Sequence, residues 1–409
     1  MQISSKKILL TFARSFLTLD LARQLHACGH RIYVVDSIDY QVSRFSNAVY
    51  KNFKVPSPRF DPEQYLDSLI HIVEQENIDL LIPIFEEITF LCMGMDHFPK
   101  SCKIFAPPFE LYHTLQNKWL FQCKLEELGI AHPKTHLVKD KEELSTIGFK
   151  TPFALKPSYS RASQKIIKAY PNRPLPDLEI DAHNPWVAQE WIEGNRFCTY
   201  SVCHQGEIYA HGTYPVGYAI DGNSCLLFES IHYPPIYDWV ANLIREIKFT
   251  GQIAFDLIES EDKILYAIEC NPRATSGLLL FGPEDRLDQA LFAYNDPPIL
   301  AKPGARKQIA TGMILYGWRK SALQNNRFGN FLKNLFSTKD VIFSPTDLMP
   351  FLCQPLIFTG ICMCSRKYGV SIPCAFTYDH DWNGEDISKI SPSPYFQNLP
   401  SLKGNLGIE

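Results

Sequence analysis

Apolar positions along the first third of the chain fall into two alternating rhythms. A continuous apolar run at residues 7–13 (KILLTFA) has the length and density of a strand covered on both faces. Residues 16–28 place Leu17, Leu21 and Leu25 on one side of a helix that Gly29 ends. A second strand follows at 31–36, and strand, helix, strand in that order builds a parallel sheet. The same rhythm predicts a helix at 62–75 and a strand at 79–85 with Glu86 and Glu87 at its carboxyl end. Those two acids are expected in a solvated loop, and with Arg14 they are the weaker candidates for lining a pocket. The turn after the first strand, Ala13-Arg14-Ser15, has no glycine fingerprint, so no dinucleotide is assigned to this part.

Beyond residue 116 the pattern changes. A helix at 117–128 is closed by Gly129, with Pro133 just beyond. Residues 153–157 read as a short strand ending in Lys156-Pro157, followed by a polar loop at 158–164, and 173–185 is rich in Pro, Asp and Asn and reads as surface loop. Runs at 186–192, 197–203 and 208–214 predict antiparallel strands. A helix at 237–247, with Val240, Leu243, Ile244 and Ile247 on one face, leads into a β-hairpin formed by 252–258 and 264–270 across the polar turn 259–263. After residue 282 the signals thin to a helix at 285–294, a strand at 307–317 and a helical or loop segment to 335. The uncharged stretch 348–365 is near the minimum spanning length but is interrupted by Pro350, Gln354, Pro355 and Gly360, so a buried helical segment is expected and no membrane span. The acidic run at 379–386, beside Gly384, is expected to be an exposed turn.

With 409 residues the chain has room for two or three domains. Its 45% hydrophobic and 21% charged content are those of a globular protein, and a net charge of −4 with scattered Lys and Arg argues against a nucleic-acid partner. A small-molecule partner is expected. The twelve cysteines lie in apolar runs without paired C-x-x-C spacing, which suggests reduced, buried thiols without structural zinc. The basic start is followed by only a short apolar run before Arg14, which reads as a strand, and the protein is expected in the cytoplasm.

The chemistry gathers in the hairpin. Each of its strands carries one carboxylate among apolar neighbours, Asp256 and Glu269, and burying either is costly without a positive partner. Glu269 and Asn271 are two apart and face the same side of an extended strand, and hard oxygen donors of this kind suit a magnesium ion carrying phosphates. Arg273 follows after Pro272.

The order of parts, a parallel α/β unit, a helix with a lysine, a strand ending Leu-Lys-Pro, a Val-Ala-Gln-Glu-Trp-Ile strand and this hairpin, resembles the ATP-grasp superfamily of carboxylate–amine ligases and carbamoyl phosphate synthetase large chains. The resemblance implies an α/β protein with an N-terminal parallel-sheet domain at 1–112, a two-lobed ATP-grasp module at 113–298 and a C-terminal region at 299–409 whose fold the resemblance does not reach. It implies that Lys118 and Lys156 meet ATP phosphates, that Gln189, Glu190, Trp191 and Ile192 line the adenine, and that Asp256, Glu269 and Asn271 hold Mg2+, with Mn2+ as the alternative ion. Arg273 and Lys156 take the catalytic places, and Ser276 and Gly277 line an acceptor pocket. The loop that covers the phosphates in the superfamily is usually glycine-rich. Here 158–164 has no glycine, and Ser160 and Arg161 offer a hydroxyl and a guanidinium instead. Arg196 stands where many relatives carry a ribose-binding glutamate, with Glu193 nearby to take that role. The implied activity is an ATP-dependent ligase that phosphorylates a carboxylate for attack by an amine or similar nucleophile. The alternatives are a nucleotide-binding protein without turnover or a small-molecule kinase. Homo-oligomerisation is left open.

Overall fold

Strands β1 (Lys7–Leu10), β2 (Arg31–Asp36), β3 (Val49–Lys54), β4 (Leu80–Ile82) and β5 (Lys103–Ile104) form a wholly parallel sheet in the order β3-β2-β1-β4-β5. The computed structural model of the chain describes residues 3–160, 165–171, 173–181, 183–217, 219–220, 224–294, 296–317, 328–387 and 393–396. Helices α1 (Phe16–Ala27) and α2 (Pro62–Glu76) agree with the apolar rhythm to within a residue, and β2 matches its prediction. β1 and β4 are shorter than expected. After Leu10 the chain turns away through Phe12 at φ 53°, and Pro83, with no N–H, cannot extend the β4 ladder. The edge strand β3 and the helices α3 (Ile88–Gly94) and α4 (Phe109–Gln116) were not read from the sequence. The strand order reverses between β1 and β4, and open α/β sheets bind ligands in the crevice outside the strand ends at such a point.

Helix α5 (Lys118–Glu127) begins at Asn117, whose side chain accepts from the amides of Trp119 and Leu120. It leads to a four-stranded antiparallel sheet, order β6-β9-β7-β8, built from β6 (Thr135–Val138), β7 (Phe153–Pro157), β8 (Ile167–Ala169) and β9 (Trp186–Glu190). A second sheet contains β10 (Asn195–His204) and β11 (Glu207–Pro215), which are antiparallel as expected, and the hairpin strands Gly251–Glu259 and Leu265–Asn271. The helix Pro234–Ile247 buries Ile236, Val240, Leu243, Ile244 and Ile247 against it.

The C-terminal part departs most from expectation. The helix foreseen at 285–294 shrinks to Leu287–Leu291. The strand foreseen at 307–317 is only Arg306–Gln308. Asp340 Oδ1 then accepts from the Ala310 amide at 2.8 Å and starts a helical turn, Ala310–Gly312, that runs into a π-helical segment, Met313–Gly317. The uncharged stretch is helical, as Met349–Leu352 and Gln354–Tyr368, with Pro350 and Pro355 in first turns where a missing N–H costs nothing. It is not buried as expected: Met349, Phe351, Leu352, Leu356, Phe358 and Met363 are exposed, and only one face of the long helix, through Ile357, Gly360 and Ile361, packs inward. Among the described residues no helix is long and apolar enough to cross a membrane. The cysteines are free thiols, but only five of the twelve are buried.

The acidic run is the clearest correction. Asp379, His380, Asp381 and Trp382 are buried, because the chain here folds back over the carboxyl ends of β1 and β2. Arg14 receives it, with Nη1 2.8 Å from Asp379 Oδ1 and Nη2 2.5 Å from Asp36 Oδ1. Three further pairs fasten the C-terminal part to the N-terminal part, two of them through helix α1: Lys307 with Asp20 (2.7 Å), Arg23 with Asp347 (2.9 Å) and Arg59 with Glu385 (3.1 Å).

Candidate functional site

Asp256 and Glu269 stand opposite one another across the hairpin, with a bulge immediately after Asp256 and Asn271 opposite Ala254. Two carboxylates directly across an antiparallel pair repel unless a cation joins them. Desolvation and then the charge of Glu269 push the Asp256 carboxyl upward from its usual range, while Arg196, on β10, and Lys118 pull it back. Arg196 therefore faces the acids. Glu193 is exposed at its side chain and pairs with Lys168 at 3.2 Å.

Both lysines converge on the hairpin. Lys118, at the start of α5, is buried; its Nζ lies 3.2 Å from Glu269 Oε1 and donates to Ser160 O at 2.7 Å. Lys156, on β7, donates to Gln189 Oε1 (2.8 Å) and to Ile268 O (2.9 Å). Burial, and then the nearby Lys118 charge, lower the Lys156 ammonium from 10.5 to about 8. Gln189 Nε2 donates to Thr135 Oγ1, so this side chain is a holder for Lys156. Glu190, Trp191 and Ile192 are half-buried. The amides of Glu190 and Trp191 donate to Lys134 O (2.8 Å) and Pro152 O (3.1 Å), and Lys168 sits over the Trp191 ring at 4.1 Å.

Arg273 is buried and held from three sides: Nε is 2.9 Å from Glu86 Oε1, Nη1 donates to Ala274 O, and Nη2 donates to Asn271 Oδ1 at 3.1 Å. Its guanidinium lies over the Phe85 ring at 4.5 Å. Gln116 steadies the other Glu86 oxygen at 2.9 Å. Glu86 and Glu87 are thus not in a solvated loop. Both are buried, and Glu86 orients Arg273 while Glu87 Oε1 accepts from the amides of Ile84 and Phe85. A carboxylate directly after an apolar strand was the only sequence signal for the Glu86 role. Arg14 is no open pocket cation either, since Asp36 and Asp379 neutralise it.

Ser276 and Gly277 begin a 3-10 turn, Ser276–Leu280. Ser276 is half-buried, and Gly277 backs onto Tyr200 so closely that an added Cβ would lie 2.4 Å from the Tyr200 Cβ. Ser160 is half-buried at the edge of the site, and Arg161 lies outside the described residues. Among the described residues no group of three or more His, Cys, Asp or Glu side chains is gathered as a metal cluster. The donor set at the hairpin, two carboxylates and an amide oxygen, is of the hard kind that suits magnesium.

Residues 115–277 match the family model of the ATP-grasp domain. A carbamoyl phosphate synthase large chain from Helicobacter pylori (strain ATCC 700392 / 26695) is 24% identical over 236 residues, covering 53% of this chain and 21% of that protein. The chain thus spans about a fifth of the length of that relative. The fold is shared with the N5-carboxyaminoimidazole synthetase of Staphylococcus aureus in complex with ADP, at TM-score 0.57 and 13% identity over 74% of this chain and 81% of that one. It is also shared with an L-amino acid ligase from Bacillus licheniformis, at TM-score 0.52 and 15% identity over 66% and 68%.

Proposed function

We propose that the protein is a magnesium- and ATP-dependent ligase that activates a small-molecule carboxylate as an acyl-phosphate and passes it to an amine or similar nucleophile. The observation that carries this reading is the convergence of two buried lysines, Lys118 and Lys156, on a hairpin whose two carboxylates face each other. The matched ATP-grasp segment and the ligase and synthetase names of the fold neighbours support it. Lys118 and Lys156 bind phosphate oxygens. Asp256, Glu269 and Asn271 fit a hard divalent ion, which would bridge phosphate oxygens and offset the charge that develops on transfer. Arg273, oriented by Glu86, stabilises the transferring phosphoryl group and the acyl-phosphate. Adenine lies along β9 and Ile192, with the base edge read by carbonyls and by groups past the Glu190 and Trp191 amides, because those two N–H groups are already spent. Ser276 lies at the acceptor side. ATP-grasp chemistry of this kind needs positioning and charge stabilisation, with no covalent residue.

The test is ADP release with magnesium and ATP over a panel of carboxylic and amino acids. Turnover on some pair is expected, and its survival in Glu269→Ala would refute the assignment. A second reading, nucleotide binding without turnover, draws on the phosphate loop, where the Ser158 and Tyr159 amides donate to Pro185 O and Asn184 Oδ1 and are not free to wrap phosphates. Tight binding of magnesium and ATP by calorimetry with no ADP formed on any pair would favour it.

A further inference from the structure

The loop that follows Lys156 has no glycine, and its first residues are fixed from several directions. Ser158 N donates to Pro185 O at 2.8 Å. Asn184 clasps Tyr159 twice, accepting from its amide at 2.8 Å and donating to its carbonyl at 2.9 Å. The loop also reaches the lysine on α5, for Ser158 O accepts from the Lys118 amide at 3.0 Å and Ser160 O from its Nζ. Whatever sets the place of Tyr159 therefore sets the place of Lys118.

The Tyr159 side chain is almost fully buried, and its surroundings come from two distant parts of the chain. Its hydroxyl hydrogen-bonds with His113 Nε2 at 2.5 Å and faces the Asn117 side chain that caps α5. Its ring meets Trp382 edge-on with centroids 5.2 Å apart, and Trp382 also packs on Phe109 (6.2 Å) and His113 (6.0 Å). Two residues on, Gly384 has φ +87°, and a Cβ there would lie 2.3 Å from His183 O and 2.8 Å from Tyr159 Cε2. Trp382 is itself held by donating from Nε1 to Glu385 O at 2.8 Å, and Arg59 ties Glu385 to the N-terminal part. The acidic run thus reaches from the Arg14 crevice to the underside of the phosphate loop.

We infer that Trp382 is a positioning residue for the proposed nucleotide site, acting through Tyr159 to hold the base of the glycine-free loop and, by Ser160 O, the Lys118 ammonium. A glycine-rich loop binds phosphate by freedom of its backbone. This loop has a fixed base, and an aromatic side chain from the C-terminal part supplies the fixing. The C-terminal part is then a component of the nucleotide site and not an independent appendage.

This inference rests on the proposed Mg-ATP site for its functional consequence, but its structural half is testable without nucleotide. Amide hydrogen exchange at Ser158 and Tyr159 is compared in the full chain, in Trp382→Ala, in Trp382→Phe and in Gly384→Ala, alongside Mg-ATP affinity and the split between KM for ATP and kcat. Exchange should rise at least tenfold at both amides in Trp382→Ala and Gly384→Ala. Mg-ATP affinity should fall at least tenfold, mainly as a rise in KM for ATP, and Trp382→Phe should restore both. Unchanged exchange in Trp382→Ala, or a loss that follows thermal stability alone and that Phe does not restore, would overturn the inference. If the wild type binds no Mg-ATP the ligase reading fails, and the exchange result alone then decides whether Trp382 holds the loop.

Discussion

Lys118 Nζ lies 3.2 Å from Glu269 Oε1, so the lysine expected to meet a phosphate already neutralises one of two facing carboxylates. In the proposed site, a divalent ion held by Glu269 would free Lys118 to face phosphate oxygens, with its bond to Ser160 O still available to hold it. Removing Lys118 alone should therefore harm both folding and binding, because it takes the ion-pair partner from Glu269 and leaves only the charges of Arg196 and Lys156 to offset the two facing carboxylates. Glu269→Gln should lower ADP release by about 100-fold or more, the scale of losing a preorganised electrostatic contact in a transition state. In Lys118→Ala/Glu269→Gln the melting temperature should return toward wild type while turnover stays lost, as scanning calorimetry and an ADP-release assay would show.

The buried Lys156 gives the unliganded protein a distinct pH dependence. Its ammonium is lowered from 10.5 to about 8, so between those values the unfolded chain binds more protons than the folded one. Wild-type stability should then rise with pH across that window, by a contribution on the order of 3 kcal/mol. Lys156→Met should flatten the rise in urea unfolding measured from pH 7.5 to 10.5. ATP affinity should move the opposite way in wild type, weakening above pH 8 as the cation is lost. Lys156→Met should bind ATP poorly at every pH.

Gly277 separates packing from ligand contact. An alanine Cβ there would lie 2.4 Å from the Tyr200 Cβ and 3.2 Å from Tyr214 Cε1, so the turn or the β10 strand must move. Gly277→Ala should destabilise the protein by about 1–3 kcal/mol, the usual cost of overpacking. If the glycine serves packing, kcat and the acceptor KM of the folded protein should change less than threefold. A selective rise in acceptor KM at unchanged stability would assign it to the pocket.

The parts of this fold that were legible in the sequence are those whose signal is local. The hairpin strands, the 259–263 turn, the end of α5 at Gly129 and the antiparallel β10 and β11 each declare themselves within a dozen residues. The residues that organise the site from a distance were not. Glu86 reaches Arg273 across 187 residues, and Asp379 reaches Arg14 across 365. An acidic run beside glycine looks exposed until the arginine it pairs with is known, and Trp382 looks like part of that run until Tyr159 is beneath it. The edge strand β3 went unread because its six residues are all partly or fully exposed and carry no alternation.

The Arg14–Asp379 pair sets how firmly the C-terminal part is joined to the parallel sheet. Both side chains are fully buried, and Asp379 also takes the Ser37 hydroxyl and faces His380 Nδ1 at 3.1 Å. The His380 and Arg14 partners hold its carboxyl well below the ordinary range despite burial. A carboxylate depressed in the folded state contributes stability that is present above its unfolded value near 4 and is lost as the pH falls below it. Asp379→Asn should cost about 3–5 kcal/mol, the scale of breaking one side of a buried pair, although Asp36 still neutralises part of the Arg14 charge. The variant should also lose the acid-dependent part of that stability, so its urea midpoint should vary less than wild type between pH 5 and pH 3. Arg14→Leu/Asp379→Leu would strand Asp36, itself buried, without its cation and should recover nothing, whereas Arg14→Leu/Asp36→Leu/Asp379→Leu removes all three charges and should recover part of the loss. Equal stability of Asp379→Asn and wild type would show that the pair is not what fastens this segment, and the remaining pairs at Asp20, Asp347 and Glu385 would have to carry the joint.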